Sequence, residues 1–172
     1  STKNDTPKIT PAPFDKDRDG LVIGKGAGTL ILEDYEFAKA RGAKIIAEIV
    51  GYANNTDGTH ITNPNAETMA IVMKEALQSA KLSPSDIGYI NAHGTSTHHN
   101  DLFETRAIKL AFGEHAKNLK INSTKSMIGH LLGAAGAIEF ITCVKEMEEG
   151  LPFANGDWVF VPGIRRAVCE MW

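Results

Sequence analysis

Apolar side chains recur along this chain in short blocks that alternate between strand-like and helix-like spacing. Residues 29–33 and 45–52 are rich in β-branched and aliphatic side chains, which predicts two buried strands. Residues 34–41 between them predict a short helix that ends at Gly42. The clearest helix is predicted over residues 66–81, where apolar side chains keep the i, i+3, i+4, i+7 spacing of one helical face.

The same alternation continues through the second half of the chain. Short strands are predicted over residues 87–92 and 120–122, and helices over residues 101–112 and 129–148. Strands that alternate with helices predict an α/β protein with a largely parallel sheet. Ligands of such sheets bind beyond the carboxyl ends of the strands, so the residues that follow each strand are candidates for function.

Several polar residues fall at the ends of these elements. His93 and Lys125 lie just after predicted strands, and Asp101 lies where the helix over residues 101–112 begins. Asp101 fits the N-cap of that helix, and Glu104 three residues later completes a capping-box pattern.

Composition narrows the class of protein. Of 172 residues, 42% are hydrophobic and 23% are charged, which excludes disordered, collagen-like and coiled-coil proteins. No apolar run approaches the ~18–20 residues of a membrane span, and the 18 basic and 21 acidic residues form no basic stripe for nucleic acid. Two cysteines, Cys143 and Cys169, make no secreted disulfide framework. We therefore expect a cytoplasmic protein whose partners include neither a membrane nor nucleic acid.

A metal site is one interpretation of the histidine-rich stretch. His93, His98, His99 and Asp101 lie close together in sequence, but their spacing does not match a recognisable zinc pattern. The alternative for His98 and His99 is that both are exposed polar residues of a loop.

His93 and His130 together favour catalysis. Each stands beside a glycine, which lets a backbone or ligand approach closely, and Lys125 lies five residues before His130. Two neutral imidazoles can donate Nε2–H bonds to a developing oxyanion. Either histidine alone is better explained by a structural role, and only the combination points to chemistry.

Two long motifs resemble those of β-ketoacyl-[acyl-carrier-protein] synthases. Residues 89–97 read Tyr-Ile-Asn-Ala-His-Gly-Thr-Ser-Thr, with Asn100, Asp101 and Glu104 after them, and resemble the first histidine motif of that family. Residues 122–136 read Asn-Ser-Thr-Lys-Ser-Met-Ile-Gly-His-Leu-Leu-Gly-Ala-Ala-Gly and resemble its lysine and second histidine motif. The similarity is greatest to the fatty-acid-elongating branch and covers about residues 1–150.

The resemblance implies a thiolase-like fold, in which two βαβαβ halves form one layered α/β/α/β/α subunit. Residues 1–150 would be most of the C-terminal half, with residues 1–20 as a polar lead-in. Residues 151–172 would be a divergent tail of unknown structure, in which only residues 157–161 suggest a strand. The activity implied is decarboxylative Claisen condensation, an acyl transfer in fatty-acid biosynthesis.

The resemblance also implies a role for individual residues. His93 and His130 would stabilise the enolate of the malonyl thioester, and Lys125 would hold the charge network around His130. Glu104 would join that network through hydrogen bonds, although a helix-capping role explains it equally well.

Substrate contacts follow from the same resemblance. Thr95 and Thr97 would contact a phosphopantetheine arm, which the acyl carrier protein partner brings with its acyl group, and His60 would lie in a loop near the acyl entrance. No cofactor bound by this chain and no metal are expected.

The nucleophile of the family is the main departure. It is a cysteine in an Ala-Cys-Ser context that would lie upstream of Ser1, and neither Cys143 nor Cys169 has that context. Because a thiolate is needed for the covalent acyl intermediate, we expect the chain alone to be inactive in condensation. It would be a portion of a synthase that needs the N-terminal half. The alternative is a non-catalytic module that binds a carrier protein or another partner. The small residues 133–136 predict an apolar face that associates with that half or with a second copy.

Overall fold

A computed structural model describes residues 1–60 and 62–149 and, for the backbone alone, residues 166–171. Its helices are α1 (Tyr35–Ala40), α2 (Ala66–Ala80), α3 (His98–Phe112), α4 (Lys125–Ile128) and α5 (Ala135–Glu149). Its strands are β1 (Glu48–Asn54), β2 (Tyr89–Asn91), β3 (Lys120–Asn122) and β4 (Arg166–Met171). The order of elements confirms the predicted α/β class.

The strands pair in parallel, as the alternation of strands and helices predicts. β2 lies beside β3, with Tyr89 opposite Lys120 and Asn91 opposite Asn122. β1 lies beside β4, with one register shift between Ile49 and Gly51. Because β2 and β3 run in the same direction, the loops that follow their carboxyl ends emerge side by side.

The core lies between α2 and α3. Met69, Met73 and Leu77 of α2 pack with Ile108 and Phe112 of α3 in one buried cluster. The other side of α2 packs on β1, with which it shares a second, smaller buried cluster. This packing fixes the position of α3, and the loop after β2 leads directly into the N-terminus of that helix.

Helix α2 and strand β1 approach each other closely at Gly51. A Cβ atom at Gly51 of β1 would lie 2.6 Å from the carbonyl oxygen of Ala76 in α2. Only glycine lets the two backbones approach to this distance.

Two of the predicted strands and helices differ from those of the described part of the chain. Residues 29–33 form no strand, and Ile31 is 86% exposed. A strand needs a hydrogen-bonded neighbour, and no described segment pairs with these residues. The helix predicted over residues 129–148 begins only at Ala135, because Gly129 and Leu132 both adopt a positive φ, at 73° and 53°. His130 therefore lies in an irregular segment between two helices.

Two further predictions concern membrane-spanning helices and the last residues of the chain. In the described residues, no helix has the length and apolarity that a membrane crossing requires. The strand suggested for residues 157–161 lies outside the described residues, whereas residues 166–171 form β4.

Candidate active site

The loop after β2 is held by a buried carboxylate. Glu104, in α3, is 1% exposed, and its two carboxylate oxygens accept hydrogen bonds from the backbone N–H groups of His93 (2.7 Å) and Gly94 (2.8 Å). Asn100 Nδ2 donates a third bond at 3.1 Å. Burial raises the pKa of this carboxyl above its ordinary value, and the backbone donors oppose that rise.

The capping interpretation of Asp101 and Glu104 is wrong. The N-cap position of α3 is Thr97, so Asp101 lies inside the first turn. Its carboxylate instead accepts a hydrogen bond from the backbone N–H of Phe14 at 2.8 Å and lies 3.6 Å from Arg18 Nε. Both acidic side chains thus fasten other segments to α3.

Gly94 is the point where the loops after β2 and β3 touch. It has a φ of +41°, and a Cβ atom there would lie 2.4 Å from Ser123 Cβ. Ser123 Oγ lies within hydrogen-bonding distance of the carbonyl oxygens of Gly94 (3.0 Å) and His93 (3.2 Å). The contact fixes His93 relative to the segment that bears Lys125.

The two candidate histidines meet edge to face. The ring centroids of His93 and His130 are 5.3 Å apart and the ring planes are inclined by 87°. The His130 backbone is bound on both sides, since its N–H donates to Val22 O (2.7 Å) and its carbonyl accepts from Gly24 N–H (3.0 Å). The two histidines that the sequence analysis grouped therefore lie in contact.

Hydrogen bonding and burial set the protonation of both rings. His130 Nδ1 accepts a hydrogen bond from the backbone N–H of Leu132 at 3.1 Å, so the proton of the neutral ring is on Nε2. Burial lowers the pKa of His93 to about 3, with the nearby charges of Lys125 and His130 acting in the same direction. The pKa of His130 is also lowered, by burial first and then by Lys125, while Glu139 opposes the shift. Both imidazoles are neutral near pH 7.

Lys125 forms a buried ion pair that sequence reasoning missed. Its Nζ lies 2.5 Å from Glu139 Oε1, and the two side chains are 2% and 12% exposed. The other Glu139 oxygen lies 3.4 Å from Asn91 Nδ2. The available signal was that Glu139 is the lone acidic residue in the apolar stretch 137–144.

Thr95 and Thr97 lie on the same loop as His93. Their Oγ1 atoms are 2.8 Å apart, so one hydroxyl donates to the other. His60 is in the exposed loop between β1 and α2, where its ring Nδ1 is 2.9 Å from Thr62 Oγ1. His98 is exposed at the start of α3. Within residues 1–60 and 62–149, no three His, Cys, Asp or Glu side chains are arranged to hold a metal ion.

Comparison with known proteins assigns the family. A sequence profile described as beta-ketoacyl synthase, C-terminal domain, matches residues 46–155, which is more than half of the chain. The chain is 49% identical over 98% of its length to 3-oxoacyl-[acyl-carrier-protein] synthase 2 of Synechocystis sp. and 50% identical over 86% of its length to the synthase 2 of Vibrio cholerae. It spans 43% and 36% of those two proteins, less than half of each.

Solved structures agree with the sequence comparison. The chain matches a beta-ketoacyl synthase from Burkholderia phymatum with a TM-score of 0.82 and 53% identity, over 87% of this chain and 36% of that one. It also matches a chain of a solved complex, described as a type II PKS acyl-carrier protein with its ketosynthase. The TM-score is 0.79 and the identity 48%, over 82% of this chain and 35% of that one. The fold is that of the thiolase-like ketosynthases, and the chain belongs to the β-ketoacyl synthase family as part of its C-terminal portion.

Proposed function

We propose that this chain supplies the His–His–Lys part of the condensation site of a fatty-acid-elongating β-ketoacyl-[acyl-carrier-protein] synthase. The observation that supports the proposal most strongly is the perpendicular pair of neutral imidazoles, His93 and His130, beside the buried Lys125–Glu139 ion pair. The names of the Synechocystis and Vibrio relatives support the choice of reaction.

Decarboxylation of a malonyl thioester is the step that these residues serve. The bond between the malonyl carboxylate and Cα breaks, CO2 leaves, and the bonding electrons form an enolate whose negative charge rests on the thioester oxygen. Neutral imidazoles with Nε2–H donate to that oxygen, and donors that the protein holds in place stabilise the developing charge without reorganisation at the moment of reaction. The bond from Leu132 N–H to His130 Nδ1 keeps the donor proton of His130 on Nε2.

Condensation follows from the enolate. Its Cα attacks the carbonyl carbon of an acyl group held as a thioester on a cysteine, a new carbon–carbon bond forms, and the cysteine leaves as a thiolate. That cysteine comes from the portion of the synthase outside this chain. Lys125 keeps a positive charge beside the two rings, which favours both the neutral imidazoles and the developing oxyanion.

The substrates are thioesters on an acyl carrier protein. A matched ketosynthase was solved in complex with its acyl-carrier protein, which supports this partner. In our proposal Thr95 and Thr97 hydrogen-bond the phosphopantetheine arm, and the loop of His60 borders the acyl entrance. Exposed apolar side chains, among them Ile31 (86%), Met127 (70%) and Phe37 (62%), support an extensive interface with the remainder of the synthase.

The test is a hybrid synthase, in which residues 1–149 of this chain replace the matching segment of the Vibrio cholerae relative. Release of CO2 from malonyl-[acyl-carrier-protein] is measured for the hybrid and for His93→Ala and His130→Ala. Each substitution removes one oxyanion donor and is expected to slow decarboxylation by ~100-fold or more. His99→Ala, on the exposed side of α3, is the matched control and is expected to keep the rate.

Two results would overturn the proposal. One is a hybrid whose decarboxylation survives both histidine substitutions. The other is a folded hybrid that binds carrier protein but releases no CO2, which would favour the non-catalytic binding module.

A further inference from the structure

Ser96 is a non-glycine residue with a positive φ in the loop that follows β2. Its side chain is fully buried and its φ is +66°, in the left-handed region that residues other than glycine rarely adopt. Such a conformation persists only when its surroundings hold it in place, and it is found most often at functional sites.

The N-terminal segment supplies that hold. Ser96 Oγ accepts a hydrogen bond from Ala12 N–H at 3.0 Å, and Ser96 O accepts one from Gly20 N–H at 2.9 Å. Arg18 Nε donates to the next carbonyl, that of Thr97, at 3.1 Å. Residues 12–20 therefore bind the loop at two consecutive residues, Ser96 and Thr97.

The left-handed turn at Ser96 also decides where its two neighbours point. In an extended strand, residues two apart stand on one face, separated by ~6–7 Å along the chain. The Oγ1 atoms of Thr95 and Thr97 instead lie 2.8 Å apart. The conformation of Ser96 brings the two hydroxyls into one hydrogen-bonded pair.

The other half of the loop has different supports. His93 and Gly94 are bound by Glu104, and their carbonyl oxygens face Ser123. The threonine pair and the catalytic histidine are thus held by separate sets of hydrogen bonds, so a change at Ser96 should displace the threonines and spare His93.

We propose that Ser96 is a positioning residue, which uses residues 12–20 to set the Thr95–Thr97 hydroxyl pair at the geometry that receives the phosphopantetheine arm. This inference rests on the proposed function for the identity of the arm. It adds a residue that does not touch the substrate and assigns residues 12–20 to substrate recognition.

The test compares two malonyl thioesters in the hybrid synthase: malonyl-pantetheine, and malonyl-N-acetylcysteamine, which lacks most of the arm. Ser96→Ala removes the acceptor for Ala12 N–H. It is expected to raise KM for malonyl-pantetheine about tenfold and to leave kcat and the KM for the short thioester unchanged. Ser96→Gly adopts the left-handed conformation freely but also lacks Oγ, so it is expected to show the same KM change. Ser85→Ala, an exposed serine, is the matched control.

Reference variants separate this inference from the proposed function. If Thr95→Ala and Thr97→Ala raise the KM for malonyl-pantetheine and both Ser96 variants do not, the role of Ser96 is refuted and the arm assignment stands. If the threonine variants also leave that KM unchanged, the arm assignment fails and the role of Ser96 fails with it. Equal losses on both thioesters would show a general structural defect and would also refute positioning.

Hydrogen exchange in the intact 172-residue chain gives a readout independent of catalysis. Ser96→Ala is expected to speed the exchange of the Ala12 and Gly20 amides, while those of His93 and Gly94 keep their protection. Uniform loss of protection across all four amides would contradict the separate supports on which the proposal depends.

Discussion

Lys125 Nζ lies 2.5 Å from Glu139 Oε1 in a site where both side chains are almost closed to water. The pair joins α4 to α5 across the irregular segment that contains His130. Lys125 itself lowers the pKa of His93 and of His130, while Glu139 opposes the shift of His130. Lys125 thus contributes both to the packing of the second motif and to the neutrality of His93 and His130.

Breaking this pair should cost much more than breaking an exposed one. Lys125→Ala leaves a poorly hydrated carboxylate without its cation, so the free energy of unfolding is expected to fall by ~3–5 kcal/mol. Lys117, whose ion pair with Glu114 is exposed, is the matched control, and Lys117→Ala is expected to cost ~1 kcal/mol or less. Urea denaturation of the chain measures both. Equal losses would show that the buried pair has no special structural weight.

Gly94 should tolerate no side chain. Gly94→Ala combines an unfavourable φ of +41° with a Cβ placed 2.4 Å from Ser123 Cβ, and we expect a loss of ~2–5 kcal/mol. Gly58 is the control, because its φ is +69° but nothing lies within 4 Å of an added Cβ. Gly58→Ala is expected to lose only ~1–2 kcal/mol. Thermal and urea unfolding measure both losses. If Gly94→Ala lost no more stability than Gly58→Ala, the close contact of the loops after β2 and β3 would be contradicted.

The stability of the loop after β2 should depend on the charge and the two acceptor oxygens of Glu104, not only on its volume. Glu104→Gln keeps the volume but replaces one acceptor oxygen with an N–H2 group that faces a backbone N–H. We expect a loss of ~1–3 kcal/mol in the free energy of unfolding. Glu75→Gln, on the exposed side of α2, is expected to change it by ~0.5 kcal/mol or less. A Glu104→Gln chain as stable as the parent would refute this account of the loop.

The lowered pKa of His93 predicts a loss of stability in acid. Unfolded histidine binds a proton near pH ~6.5, whereas folded His93 does so only near pH 3. Between these values the unfolded chain holds more protons, so acidification favours unfolding by ~1.4 kcal/mol per pH unit for this group. His93→Gln removes the titrating ring, so its free energy of unfolding should fall less steeply than that of the parent as the pH drops. If the free energy of unfolding fell equally steeply for the parent and for His93→Gln between pH 6 and pH 4, burial of a neutral His93 ring would be contradicted.

Much of this architecture follows from local sequence. Helix α2 was predictable because its apolar side chains repeat with helical spacing over four turns, which few other structures accommodate. The placement of His93 and Lys125 side by side followed from their positions after two short parallel strands. His130 was singled out by its neighbouring glycine and by Lys125 five residues before it, and the motif resemblance then implied its role.

Features that depend on distant partners were not predictable in this way. An apolar stretch such as residues 29–33 indicates that the segment tends to be buried. It does not indicate which strand, if any, pairs with it. The pairing of β1 with residues 166–171 joins segments more than a hundred residues apart. Ser96 reads as an ordinary loop serine, and only its burial and positive φ distinguish it.

The account depends most on two neutral imidazoles that donate through Nε2–H. Nitrogen NMR of the intact chain with 15N-labelled histidine measures the protonation of each ring directly as the pH is lowered. The predicted result is that His93 remains neutral at pH 6 and that His130 has a pKa below the ordinary histidine value, with its proton on Nε2 and an unprotonated Nδ1 that accepts from Leu132 N–H. Protonation of both rings near pH ~6.5, or a His130 proton on Nδ1, would contradict the account.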